Sequence, residues 1–362
     1  MTMPQPKLNS VFRHAHKWSI TTVLALILSA CSSSQPEDLW LDYEMRVMNG
    51  LDIKAINAPS NSTSSWPPLP PRKARITELI APSMNLWEFL KVYDCELTIH
   101  VAKQNGPLGK VMQPSQRFVY AMKWIPLARR CLDSANLNDQ ARAKIEEGLA
   151  FYQAHQLTLF LNGVFHKEFE TAFKPSAVWP KQQSYPALGD PSLEAFNQVL
   201  LNQASPMSIT SETLEKHLKT MAAHRLPGNW LFHITQATTY LKRLNMAMDS
   251  QTRLCPMGTP SPQSKIAMNV FHRYFAAQVQ PWVSQLHRFG QSLNRQLSTL
   301  SQPNPAMKQH HHAVFLDKSG PWQQFQQHWK GHVDAWQRQL TRCQLMPSAP
   351  VQPTSQSTTA EP

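Results

Sequence analysis

The sequence predicts an all-α fold, an irregular multi-helix bundle made of two packed helical subdomains with long kinked helices. Three observations lead there. Apolar residues recur at three- and four-residue spacing over most of the chain, the period that places them on one face of a helix. Hydrophobic residues make up 42% of the 362, with 11 Trp among them, which supplies a large core and excludes a fully disordered chain. Gly is scarce, 11 residues or about 3% against roughly 7% in average usage, and the 29 Pro are about 8% against roughly 5%. Folds that hold nucleotides in glycine turns are therefore disfavoured.

Residues 1–30 form a three-part export signal: basic Lys7, Arg13 and Lys17, an apolar stretch from Trp18 to Leu28, then small residues, with no Asp or Glu. The apolar stretch is shorter than the roughly 20 residues that span a bilayer. It runs into Leu28-Ser29-Ala30-Cys31, which resembles the lipobox of bacterial lipoproteins, where a peptidase cuts before a cysteine whose thiol takes a diacylglycerol and whose new amine is acylated. On that resemblance Cys31 is the lipid-attachment residue. Ser32, where Asp would signal retention, then favours the outer membrane with the body facing the periplasm. Residues 31–38 become a lipidated tether, so the membrane is the first expected partner. Removing residues 1–30 takes three basic residues and no acidic one, which lowers the formal charge from +12 to +9.

The mature chain divides by composition. Residues 39–75 carry a first helix with the stripe Leu39, Tyr43, the Arg46 stem and Val47, then a Pro- and Ser-rich linker ending in the solvated basic run Arg72-Lys73-Ala74-Arg75. Residues 76–173 form the first helical subdomain. A helix with Leu86, Leu90, Tyr93, Leu97 and Val101 carries Cys95; a second opens at Pro114 and Ser115 and carries Phe118, Met122, Ile125 and Cys131. Asp139 caps a long run through Ile145, Leu149, Phe160, Val164 and Phe169, kinked at Gly148 or Gly163. Residues 174–191 hold four prolines and mark a loop and boundary.

Residues 192–345 form the second subdomain, with helices near 193–204 and 211–223 and longer ones over 229–254 and 264–300, the last kinked at Pro281. A final helix starts at Pro321, where Trp322, Trp329 and Trp336 recur every seven residues as a core stripe. Residues 346–362 read as a disordered tail.

Lipidation of Cys31 leaves four cysteines, an even set suited to an oxidising compartment. Of the three possible pairings, Cys95 with Cys131 and Cys255 with Cys343 is favoured, because each bridge then closes within one half of the chain. No Cys-x-x-Cys pair occurs and no metal site is expected.

Motifs for chemistry are weak. Gly109-Lys110 is followed by Val111 and preceded by Gln104 where a phosphate loop needs Gly, so a helix-connecting turn explains it. Neither a Gly-x-Ser-x-Gly elbow nor a His-Glu-x-x-His helix is present. His310, His311 and His312 in a loop, and His328 with His332 one turn apart, read as surface histidines lacking a third ligand. His166 with Glu170 reads as a helix-surface pair, and Asp94 with Glu96 or Glu168 with Glu170 as carboxylates on different helix faces. No catalytic residue and no cofactor is expected. Dispersed basic residues without a binding motif exclude nucleic acid as a partner.

The segment Tyr93-Asp94-Cys95-x-Leu97, followed by Asn105-x-x-Leu108-Gly109-x-Val111-Met112-x-Pro114-Ser115-Gln116-x-x-x-Tyr120 and Cys131, resembles an uncharacterised Gram-negative lipoprotein family, domain of unknown function family 3080. The resemblance extends from about residue 39 to 343. It implies an envelope lipoprotein and no particular activity. The chain departs from the pattern at Gln104, Gly106-Pro107 and Ala121. Left-handed backbone at Asn105 and Gly109 and a helix cap at Ser115 would account for the motif structurally; its functional reading is a pocket where Asn105, Ser115, Arg117 and Tyr120 converge.

These readings predict an outer-membrane-anchored, non-enzymatic binding or scaffolding protein of the envelope. The +9 charge favours an anionic envelope component, a headgroup, polysaccharide or acidic protein. The alternatives are an enzyme processing envelope lipid or glycan, and a carrier of a small apolar ligand.

Overall fold

The computed structural model describes residues 36–54, 66–82, 95–133, 137–177, 210–251 and 254–346. The export signal with Cys31, the stripe residues Leu86, Leu90 and Tyr93, most of the 174–191 loop, the expected helix at 193–204 and the tail past Met346 lie outside them. Every regular element among the described residues is helical.

Helix α1 (Pro36–Gly50) opens with Pro36 and has Glu37 and Asp38 in its first turn, where acidic groups oppose the positive end of the helix dipole. Its buried stripe is Trp40, Tyr43 and Val47, continued by Leu51. The expected stripe was displaced by one position at its start: Trp40 points inward with its larger apolar area. Arg46 stays exposed, paired with Asp42 at 3.1 Å and lying over the Tyr274 ring.

The first half contains α2 (Arg72–Arg75), α3 (Glu96–Asn105), α4 (Pro107–Lys110), α5 (Pro114–Leu132), α6 (Asp139–Ala154), α7 (Gln156–Val164) and α8 (Lys167–Ala172). Cys95 is the N-cap residue of α3 rather than part of it, and its Cα lies 5.4 Å from that of Cys131 in a disulfide at the end of α5. The run from 139 onward is broken into three helices, at His155 and at Phe165-His166 rather than at its glycines. At the first break the backbone of His155 leaves helical angles, with φ −110° and ψ 14°, and its ring Nδ1 joins its own N–H on the Phe151 carbonyl. Gly148 and Gly163 instead admit neighbours: a Cβ at Gly148 would meet the Trp124 ring at 2.5 Å. The cap of α6 is Asn138, which accepts the Ala141 N–H, and not Asp139.

The second half contains α9 (Ser211–His224), α10 (Leu226–Ser250), α11 (Pro262–Val270), α12 (Gln280–Ser301), α13 (Pro305–His311) and α14 (Pro321–Arg342). A π-helical segment, Phe271–Val279, joins α11 to α12, and another, His312–Leu316, follows α13. The discontinuity expected at Pro281 takes this form: the helix widens just before the proline, and Gln280 N–H bonds the Phe275 carbonyl five residues back. Helix α10 ends at Ser250, so Cys255 lies in the following turn, with its Cα 5.3 Å from that of Cys343 in the second disulfide.

Ring and amide contacts set the helix directions. Trp40 stacks on Tyr240 at 5.7 Å, Glu44 pairs with Arg243, and the Gln251 amide donates to the Leu51 carbonyl, so α1 runs parallel to α10. Helix α12 runs the other way, with Trp282 beside His233 and the Trp230 indole N–H donating to the Leu286 carbonyl at 2.9 Å. Helix α14 returns from Trp322 beside Trp230 to Gln339, which donates to the Met248 carbonyl. One contiguous buried cluster runs from Trp40 through Phe118, Phe160, Phe169 and Leu218 to Trp336 and Cys343, so both halves share a core. A smaller one packs Leu97, Trp124 and Ile145 around the Cys95–Cys131 bridge. Trp322 and Trp336 are fully packed and Trp329 borders them, as the heptad stripe predicts.

A polar chain crosses this core. The Asn245 Nδ2 donates to the His328 carbonyl, so its Oδ1 accepts from His332 Nδ1 at 2.8 Å. The neutral ring then presents Nε2 as an acceptor, which Tyr43 Oη reaches at 2.6 Å, and Trp336 Nε1 donates to the same phenol oxygen at 2.8 Å. His332 is thus fully buried, not on the surface. Desolvation holds it to about 3 and pushes the Tyr43 phenol up, so both stay neutral.

Tyr43→Phe should lower stability by about 1–3 kcal/mol, because it strips partners from two buried groups; urea unfolding with an unchanged slope measures it. Burial also holds His233 and His310 to about 4, below their ordinary 6.5. These histidines take up protons only on unfolding, so their contribution is complete above about pH 6.5 and is lost as pH falls toward 4. The urea midpoint should decline across that window, and a flat profile would contradict the neutral assignments.

Candidate functional site

The four residues expected to form a pocket do not meet. Asn105 ends α3 and is exposed. Ser115 is buried and donates to Glu215 of α9. Arg117 is exposed and reaches back to the Met112 carbonyl, and Tyr120 stacks on His100 with centroids 4.1 Å apart. Helical rotation of about 100° per residue explains the divergence, since positions 115 and 117 project to nearly opposite sides. The cap of α5 is Gln113, in a reciprocal box with Gln116, and not Ser115. Neither Asn105 nor Gly109 adopts positive φ. Gly109 is needed for close approach, since a Cβ there would meet the Gln104 carbonyl oxygen at 1.7 Å.

The basic run at the linker's end is also not uniformly solvated. Arg75 is 2% exposed and donates to the Pro70 carbonyl at 2.6 Å, to the Phe165 carbonyl at 3.3 Å and to Glu170 at 3.1 Å. The break between α7 and α8 leaves the Phe165 carbonyl outside a helical ladder, and a guanidinium has enough donors for all three acceptors. Glu170 is therefore the partner of Arg75 rather than of His166. Thr77 and Asn162 exchange two hydrogen bonds at 2.9 and 2.7 Å, and Asn304 donates to the Ala74 carbonyl at 3.1 Å. Residues 66–77 thus form a strap that ties α13 to α7 and α8.

The three consecutive histidines lie at the end of α13 and the start of its π extension, and two are buried, not on a loop surface. Asn304 caps α13 by accepting the Met307 N–H, and Pro305 starts it. Helical rotation then sends the rings to different places. His310 turns to the strap, toward the Pro68 carbonyl. His311 turns to α12, where its Nε2 donates to Asn294 Oδ1 at 2.7 Å. His312 is exposed.

Between α12 and α13 lies a groove of about 420 Å³. Helix α12 and its C-cap Gln302 supply one wall, from Gln291, Asn294, Arg295 and Ser298 onward, a polar stripe at helical spacing on the face away from buried Leu293, Leu297 and Leu300. The other wall carries Lys308, His311 and His312, with Leu316 at its end. No carboxylate lines it. Asp317, just past Leu316, is held below the usual carboxylate range by the Ser319 hydroxyl and N–H. Burial is the main cause that holds His311 below its ordinary value, against the Asn294 backbone that raises it, so the ring is neutral at pH 7. The groove thus offers two cationic side chains and several hydrogen-bond donors, the chemistry of an anion site. Among the described residues no group of three His, Cys, Asp or Glu is placed to hold a metal ion.

Sequence reasoning missed this groove. The polar stripe of α12 was legible as spacing, but the covering of one edge by α13 comes from the strap and from long-range packing.

A family model described as "Protein of unknown function (DUF3080)" matches residues 41–347. No curated protein and no solved structure matches the chain.

Asn294→Ala should lower the His311 pKa further, because it removes the Oδ1 that accepts from Nε2 and so a contact that favours the charged, donating ring; NMR titration of the imidazole reads the shift, and an upward shift would refute the assignment.

Proposed function

We propose that this chain, which belongs to the DUF3080 family of proteins of unknown function, is a lipoprotein of the outer membrane that faces the periplasm and binds an anionic component of the envelope without transforming it. The export signal and the Leu28–Cys31 lipobox support the address. Four cysteines placed as two disulfides suit an oxidising compartment. The observation that carries the binding role is the groove between α12 and α13, where Arg295 and Lys308 face an opening that no carboxylate lines.

The net charge of +9 after loss of residues 1–30 attracts such a partner from a distance, but screening confines that attraction to about 8 Å at physiological salt. Specific binding therefore needs fixed donors, which the polar wall of α12 supplies. Three acyl chains at Cys31 would hold the protein in the bilayer, since each buried methylene contributes about 0.8 kcal/mol.

Intact mass of the protein extracted from membranes should show loss of residues 1–30 and the addition of a diacylglycerol and a third acyl chain, and Cys31→Ser should abolish incorporation of labelled palmitate. A mature chain that retains residues 1–30 would overturn the anchor. Native mass spectrometry of the same extract should show a retained anionic component whose occupancy drops as salt rises; a salt-insensitive ligand would overturn the electrostatic reading.

A further inference from the structure

We infer that the groove between α12 and α13 lies at the membrane-facing end of the molecule and takes phosphate-bearing headgroups of the bilayer that holds the anchor. The inference rests on the lipid-anchor reading above and follows from helix directions. Glu44 sits level with Arg243 and Leu51 with Gln251, so α1 leads from the tether toward the end of the bundle closed by Cys255 and Cys343. Helix α12 runs the opposite way, from Trp282 beside His233 to Leu286 beside Trp230, and α10 itself begins at Leu226. Residues 291–302 therefore extend toward and past the start of α10, the end toward which the N-terminus of α1 points; Trp40, near the start of α1, sits level with Tyr240, just past the middle of α10.

The lipidated cysteine precedes Pro36 by five residues, a reach of at most about 17 Å in extended chain. The N-terminus of α1 points toward the groove end, so the inferred orientation turns that end to the headgroups. The disulfide end is carried away from them.

The chemistry of the groove matches that placement. Arg295 and Lys308 supply charge for a phosphodiester; Gln291 and Gln302, each with one amide hydrogen bonded to His287 Nε2 or the Ser298 carbonyl, keep a second for its oxygens, and Ser298, whose hydrogen goes to the Arg295 carbonyl, can accept from a headgroup hydroxyl. Leu316, half-exposed at the groove's end, offers an apolar surface where a headgroup gives way to its glycerol and acyl chains. His311 is already bonded to Asn294 and holds the wall in place.

The test uses the full-length lipidated protein reconstituted into phosphatidylcholine nanodiscs with and without phosphatidylglycerol. Hydrogen exchange should slow at residues 291–316 when phosphatidylglycerol is present and stay unchanged at residues 254–262. Joint Arg295→Gln and Lys308→Gln substitution should remove that protection and weaken phosphatidylglycerol retention in native mass spectrometry roughly tenfold or more. Arg273→Gln, an exposed cation on the Phe271–Val279 segment, should leave both unchanged. Both replaced residues are exposed, and unaltered thermal unfolding of the variants confirms that the fold is kept.

Protection at the Cys255–Cys343 end, or equal losses in the groove and Arg273 variants, would overturn the inference while leaving an anionic partner elsewhere possible. Protection by water-soluble glycerophosphoglycerol but not by the nanodisc would overturn the bilayer as the source. Absence of lipid at Cys31 in the intact mass would remove the anchor reading separately.

Discussion

The hydrogen-bonded chain from Trp336 through Tyr43 and His332 to Asn245 is the constraint on which the arrangement of this molecule turns. It joins the first helix to the last across nearly the whole length of the chain, inside a dry core. Its polarity is set from one end. Because Asn245 spends its amide on a backbone carbonyl, each following donor and acceptor has one choice, and neutral His332 is the state that satisfies all of them. Trp40 and Val47 contribute apolar area on either side, but area alone would tolerate a sliding helix. A fixed hydroxyl between two fixed nitrogens does not, and so the register and direction of α1 are determined.

A second set of polar contacts does for α13 what Tyr43 does for α1. Arg75 carries its charge into a buried site with a carboxylate and two backbone carbonyls as partners, which offsets the cost of desolvating it. The strap it anchors holds α13 on one side through Asn304 and His310. Asn294 holds it on the other through His311. Held from both sides, α13 stands off the polar face of α12 instead of covering it, and the groove is the space that results. The charge of the groove then follows from Arg295 and Lys308 with no acid between them.

The local pattern of the chain was enough to determine its class, the starts of α5 at Pro114 and α14 at Pro321, the docking of α1, and the tryptophan stripe of the last helix. Each depends on residues within a few turns of one another, where periodicity and proline chemistry act directly. The favoured cysteine pairing is the one whose sulfurs the folded chain brings together, because each pair closes its own half.

What spacing could not decide is which neighbour a given face meets. Arg75 reads as one more solvated cation until the break at Phe165 offers it a carbonyl. His310, His311 and His312 are identical in sequence and meet a strap, a helix and solvent. Asn105, Ser115, Arg117 and Tyr120 are close in number yet diverge around a helix axis. Local periodicity assigns a residue to a face; only tertiary packing, which joins segments many helical turns apart in the chain, decides whether that face becomes core, brace or site.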